Sequence, residues 1–218
     1  DFPMDEAFTL MVRFKTTTKK GTLAALAPAK GKWAPGGKTL FIQGGRLHYD
    51  VGWEGAIDGG KRINDGREHL ATLVGDDKGG VRIFLDGKEV ASSKELTSED
   101  QKDHVFKVGT TSPDFGGDFK DGSIDQVLFW KRSLTAGEIA TAAKKKVDEL
   151  NTPDFHWKKP EASQGKLPDL VETGVHPGFG TTLSIGSSDG LTLHEAWIQP
   201  LETSNHREIV KAWNKDSL

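Results

Sequence analysis

Three aromatic residues in glycine-rich segments, Trp33, Tyr49 and Trp53, are the side chains of this chain best suited to hold a ligand. Flat aromatic faces take the apolar C–H surface of a sugar ring, and planar polar groups hydrogen-bond its hydroxyls. Asp50, Glu54, Asp58, Arg62, Asn64 and Asp65 lie in the same stretch and offer such groups. The competing reading is that the tryptophans pin long loops onto the body of the fold, since most aromatics are packing residues. A second set, Asp114, Asp118, Asp121 and Asp125, runs along a glycine-containing loop. Clustered carboxylates with backbone carbonyls suit a structural Ca²⁺, although the spacing is not that of an EF-hand. Solvated turn aspartates are the alternative.

Catalytic patterns are missing. The seven histidines include no H-x-x-x-H or H-x-H pair, so local sequence gives no zinc site. There is no Cys, which excludes disulfides, thiol catalysis and Cys-ligated zinc. Neither an E-x-D-x-x-E carboxylate set, nor a G-x-S-x-G elbow, nor a phosphate loop occurs. Glu195 is a lone carboxylate on its strand, and glycoside hydrolysis needs two. A formal net charge of −3 does not favour nucleic acid. No apolar run approaches a membrane span, and no signal peptide begins at Asp1, as in a mature or trimmed chain.

The elements that must position these residues read as strands. Val81 to Leu85 alternates apolar and polar side chains, Asp86-Gly87 supplies a positive-φ turn, and Lys88 starts a return strand. With Arg67 to Val74 this makes a β-meander around which the rest must pack. Ala7 to Lys15 is a half-buried strand, Gly21 to Ala27 its expected partner, and Thr39 to Gln43 pairs with Arg46 to Val51 across Gly44-Gly45. Gly52 to Gly66 reads as a loop. Val105 to Val108 and Gly122 to Lys131 are further strands, the latter slipping phase near Asp125-Gln126 as a bulge would. Thr135 to Glu138 is a capping box that opens a helix to about Leu150. Asn151 to Pro168 breaks the pattern; strands are expected at Val171 to Val175, Thr182 to Ile185 and Leu191 to Pro200, and a helix at Asn205 to Leu218.

FTLMVRFK, HLATLV, VRIFLDGK, VFKVG and FKDGSIDQVLFWKRSLTAGEI occur here in the order seen in the laminin-G-like (concanavalin A-like) jelly roll, which Ala7 to Ala140 resembles. The resemblance implies an all-β, two-sheet antiparallel sandwich with one or two peripheral helices. It divides the chain into a sandwich ending in the capped helix over residues 1–150, and an extension over 151–218 that adds strands and a lead-in helix. KGKWAPGGKTLFIQGGRLHYDVGW is similar to extracytoplasmic proteins of planctomycete-type bacteria, where the sandwich sits beside further domains. The resemblance implies a secreted, periplasmic or cell-surface module that binds glycan or a protein surface and is not an enzyme. Its expected ligand residues are Trp33, Tyr49, Trp53, Glu54, Asp58 and Arg62, with Ca²⁺ at Asp114, Asp118, Asp121 and Asp125. The rivals are a polysaccharide lyase or glycosidase using Glu195, His194 and Arg62, and an assembly domain docking on a neighbour.

Overall fold

The computed structural model describes residues 2–144, 146, 149–159, 182–185 and 193–197. In chain order it contains β1 (Phe8–Thr16), β2 (Lys20–Pro28), β3 (Lys38–Gln43), β4 (Arg46–Val51), β5 (Gly55–Gly59), β6 (Glu68–Gly75), β7 (Val81–Leu85), β8 (Lys88–Ser93), β9 (His104–Val108), β10 (Gly122–Trp130), α1 (Ala136–Ala143), β11 (Phe155–Lys158), β12 (Thr182–Ile185) and β13 (Leu193–Trp197). Two antiparallel sheets face each other in a jelly-roll sandwich. One has the order β11-β10-β1-β6-β7-β8, the other β5-β4-β3-β2-β9.

Strand alternation decides what lies between the layers. Phe8, Leu10, Val12 and Phe14 of β1 point inward and meet Leu40, Ile42, Tyr49 and Val51 of the facing sheet. The opposite phase of the six-stranded sheet is also buried: Met11, Leu70, Val74, Phe84, Leu128 and Trp130 lie beneath Ile139 and Ala142 of α1. That sheet is therefore covered on both faces, whereas no described helix covers the outward face of the five-stranded sheet.

The hairpin and bulge signals are borne out. Asp86 (φ 51°) and Gly87 (φ 82°) form the two-residue turn, and the Asp86 carboxylate accepts the Leu70 N–H at 3.0 Å and faces His69 Nδ1 at 2.9 Å. Arg13 pairs with Gln126 and Phe14 with Ile124, so Asp125 is the extra residue. The capping box is present, and Arg132 grips the same Glu138 at 2.6 Å, pulling its carboxyl down to about 2.

Four expectations are corrected. The segment Gly21 to Ala27 does not pair with β1, because β2 lies in the opposite sheet between β3 and β9. The α-helix ends at Ala143 rather than near Leu150, where Arg13 Nη2 donates to the Ala142 carbonyl and satisfies an end that further helix would otherwise meet. The stretch from Gly52 to Gly66 is not all loop, because Gly55–Gly59 pairs with β4 as an edge strand. The interrupted stretch after Asn151 contains β11, which joins β10. The strands β12 and β13 form a two-stranded sheet of their own. The strand expected at Val171 to Val175 and the helix at Asn205 to Leu218 lie outside the described residues, as do parts of Leu191 to Pro200.

The two flanks of the sandwich are built differently. Along one, β5 meets β8 so closely that a Cβ on Gly59 would lie 2.3 Å from the Val90 carbonyl oxygen. Near the other, Phe2 stacks on Phe106, with ring centroids 4.1 Å apart, and meets Phe129 and Phe155 edge-on. At one end of the core Lys38 points inward, wholly buried, and donates to the Ser98 carbonyl at 2.7 Å and to the Asp100 carboxylate. Asp100 also accepts the Met4 N–H, which fastens the N-terminal segment there.

Candidate binding face on the five-stranded sheet

Cross-strand register places the outward residues in rows. Thr22, Phe41, His48 and Asp58 form one row, and Ala25, Thr39, Asp50 and Ala56 form the next. Phe41 and His48 lie with ring centroids 5.3 Å apart. Phe115, from the loop after β9, sits edge-on to Phe41 at 5.5 Å and stacks on Trp33 at 4.3 Å. The face therefore carries a continuous aromatic line from His48 to Trp33.

Two glycines seat the end of that line. A Cβ on Gly37 would lie 2.7 Å from the Trp33 ring, and one on Gly52 would lie 2.6 Å from the Ala34 carbonyl oxygen and 3.3 Å from Trp33 Nε1. Backbone bonds between Gly36, Gly37 and Gly52 close this contact, and the Trp33 N–H reaches Asp114 at 2.8 Å. Trp53 follows Gly52 directly. It is 70% exposed, and its φ of 68° is unusual for a bulky residue.

Asp50 stands on the other side of Gly52. It is half-buried, and its carboxylate forms no hydrogen bond or ion pair with any described residue. Burial raises its pKa above the ordinary carboxylate value. An unpartnered, partly desolvated acceptor three residues from an exposed indole can take a hydroxyl donor from a bound molecule.

The expected site residues divide. Trp33, Trp53 and Glu54 come together at the β4–β5 end, with Asp58 further along the same face. Tyr49 is corrected: it is fully buried on the inward phase of β4 and offers no ring face to a ligand. Its hydroxyl has no hydrogen-bond partner among the described residues, and desolvation, reinforced by Asp100 and Asp50, pushes its pKa well up. Arg62 is also displaced from the group. It follows β5, whose five residues carry the chain roughly 16 Å away from Trp53.

The aspartate quartet is corrected as well, because it does not converge. Asp114 takes the Trp33 N–H, Asp118 takes the Thr110 hydroxyl at 2.9 Å, Asp121 holds a turn at φ 51°, and Asp125 takes the Ser123 hydroxyl at 3.2 Å. Among the described residues no group of three or more His, Asp or Glu side chains is placed to hold a metal. Phe41, His48 and Phe115 are face residues that sequence reasoning missed. Phe41 was visible as an apolar residue on the outward phase of β3, but a loop residue such as Phe115 has no periodicity to betray it.

Two facing antiparallel sheets with one capping helix define a jelly-roll sandwich; the loop after β9 buries Thr22, Thr39 and Phe41 on the outward face of the five-stranded sheet, which is accessible along β4 and β5. Residues 1–140 match the laminin G model described as the Concanavalin A-like lectin/glucanases superfamily, and the chain belongs to that family. No curated protein sequence matches the chain. Among solved structures, a Bacteroides ovatus protein for which carbohydrate binding has been proposed superposes with a TM-score of 0.54 at 14% identity, over 72% of this chain and 47% of that one. The CBM40 domain of the Ruminococcus gnavus IT-sialidase gives 0.50 at 16% identity, over 63% and 83%. Domains LG4-5 of the mouse laminin alpha1 chain give 0.46 at 16%, over 61% and 37%. The chain thus spans less than half of the laminin fragment and of the Bacteroides protein. At these identities the likeness concerns the fold alone.

Proposed function

We propose that this protein is a non-catalytic glycan-recognition module of an extracytoplasmic multidomain protein, secreted, periplasmic or on the cell surface. Binding occurs at the accessible β4–β5 side of the five-stranded sheet, beyond the part that the loop after β9 covers. Trp53 is the stacking platform, Trp33 its pinned neighbour, and Asp50 the acceptor for a sugar hydroxyl. The observation that carries this reading is a pair three residues apart where β4 ends: a largely exposed indole, Trp53, and a half-buried carboxylate, Asp50, with no partner among the described residues. Sugar recognition needs that combination, and packing alone gives no reason for either. The carbohydrate binding proposed for the Bacteroides ovatus protein of the same fold supports the reading.

The test is a glycan array followed by calorimetry on the best ligand. Trp53→Ala and Asp50→Ala are each expected to weaken binding at least about tenfold, which corresponds to about 1.4 kcal/mol. Unchanged affinity in both variants would remove the site. New reducing ends or unsaturated products from a polysaccharide panel would overturn the non-catalytic part.

A further inference from the structure

We propose that this face selects uncharged saccharide units and rejects those bearing a carboxylate, such as sialic and uronic acids. The inference rests on the reading that the face binds glycan, and it concerns which glycan. Its basis is the set of charges around the stacking platform.

The acidic groups on that side are Asp50 and Asp58 on the sheet and Glu54 in the turn after Trp53. None of the three has an ion-pair partner among the described residues, so their charges are not neutralised locally. Asp114 adds a fourth carboxylate, which accepts the backbone N–H of Trp33.

The cations on the five-stranded sheet keep their charge but are held by other groups or lie at its far end. Lys107 shares the outward face, but its ammonium donates to the Pro28 and Thr111 carbonyls at 2.7 and 3.1 Å. Lys38 points into the core toward Asp100. Arg46 belongs to the far end of β4 and donates to the Gly60 carbonyl at 3.2 Å. Lys20 pairs with Gln43 at that same far end. Lys30 and Lys32, exposed on the loop before Trp33, and Lys94, two residues from the Leu96 that lies against Gly55, are lone ammonium groups, and among the described residues no guanidinium is paired with a platform residue.

Asp50 makes the discrimination chemical as well as electrostatic. An ionised carboxylate only accepts hydrogen bonds. A sugar hydroxyl donates to it and supplies the partner it lacks. A ligand carboxylate has no proton to give, and it would bring a like charge beside a partly desolvated one. Selection against the anionic sugar is then a matter of leaving Asp50 unpaired and repelling the newcomer.

The test compares matched probes at pH 7 and low ionic strength: lactose with 3′-sialyllactose, xylan fragments with glucuronic-acid-bearing xylan fragments, and galactan with polygalacturonate. In whichever series binds, the neutral member is expected to bind at least about tenfold tighter than its acidic counterpart. The charge-reversed variant Glu54→Lys/Asp58→Lys is expected to narrow that ratio, and added salt is expected to narrow it in the parent protein. Equal or tighter binding of the acidic members, or a ratio untouched by the charge reversal, overturns the inference and leaves glycan binding standing. Binding of no saccharide of either kind overturns the parent reading and the inference with it.

Discussion

The Trp33 indole and the Phe115 ring lie face to face, with centroids 4.3 Å apart and planes 10° from parallel. This stack joins the loop before β3 to the loop after β9, two segments about eighty residues apart in sequence. Trp33 is therefore both a face residue and a pin. Phe115→Ala is expected to lower stability by about 2 kcal/mol, the range for truncating a half-buried stacked aromatic. It should also weaken glycan affinity, because Trp33 loses its support. Urea midpoints and calorimetry on one variant check both halves; a loss of stability with affinity intact would make Trp33 a pin and nothing more.

Trp53 is predicted to behave in the opposite way. Its positive φ strains a residue with a Cβ, and its side chain is mostly in water. Trp53→Gly removes that strain and is expected to raise stability by roughly 1 kcal/mol while abolishing binding. A thermal melt that falls in this variant would show that the indole stabilises the fold instead.

Asp50 gives a pH signature. Its pKa is raised by burial in the folded protein. A group of that kind contributes its full stability below its unfolded pKa and loses it as pH rises through the folded value. Asp50→Asn should therefore melt higher than the parent at pH 7, with the gap closing well below pH 4. Glycan binding by the parent should strengthen as pH rises through the same window, since only the ionised carboxylate accepts without competition. Parallel melting curves of parent and variant from pH 3 to 7 would contradict the assignment.

The buried Lys38 is a structural test site. Lys38→Met strips Asp100 of its cation and leaves that carboxylate with little beyond the Met4 N–H. Breaking such a pair from one side is expected to cost about 3–5 kcal/mol, and adding Asp100→Asn should recover part of it. A double-mutant cycle in denaturant measures the coupling, and purely additive losses would show that the two groups do not act as a pair.

Much of this was legible in the residues, and the failures have physical causes. Alternation in β1 and in Val81–Leu85, with Asp86-Gly87 between strands, fixed the sandwich because a period of two assigns faces directly. Asp125 announced its bulge by breaking that period. Tyr49 was misread although Leu47, Tyr49 and Val51 share an inward phase; its glycine-rich surroundings suggested a surface. The helix end depended on Arg13, more than a hundred residues earlier, which no local pattern reveals. The aspartate loop looked like a cation cradle because composition cannot show that each carboxylate already serves its own turn. Trp53 and Asp50 were nameable, but the lack of a partner for the Asp50 carboxylate among the described residues is a property of the assembled sheet.

The abutment of Gly59 against the Val90 carbonyl leaves no room for even a methyl group, while the opposite border is closed by an aromatic cluster in which Phe2 stacks on Phe106 and meets Phe129 and Phe155. The molecule is thus bound like a book, with its spine at β5 and β8 and its clasp at the N-terminal phenylalanine. Loosening begins at the clasp: in Phe2→Ala, amides of β9 and β11 should exchange with solvent well before those of β5 and β8.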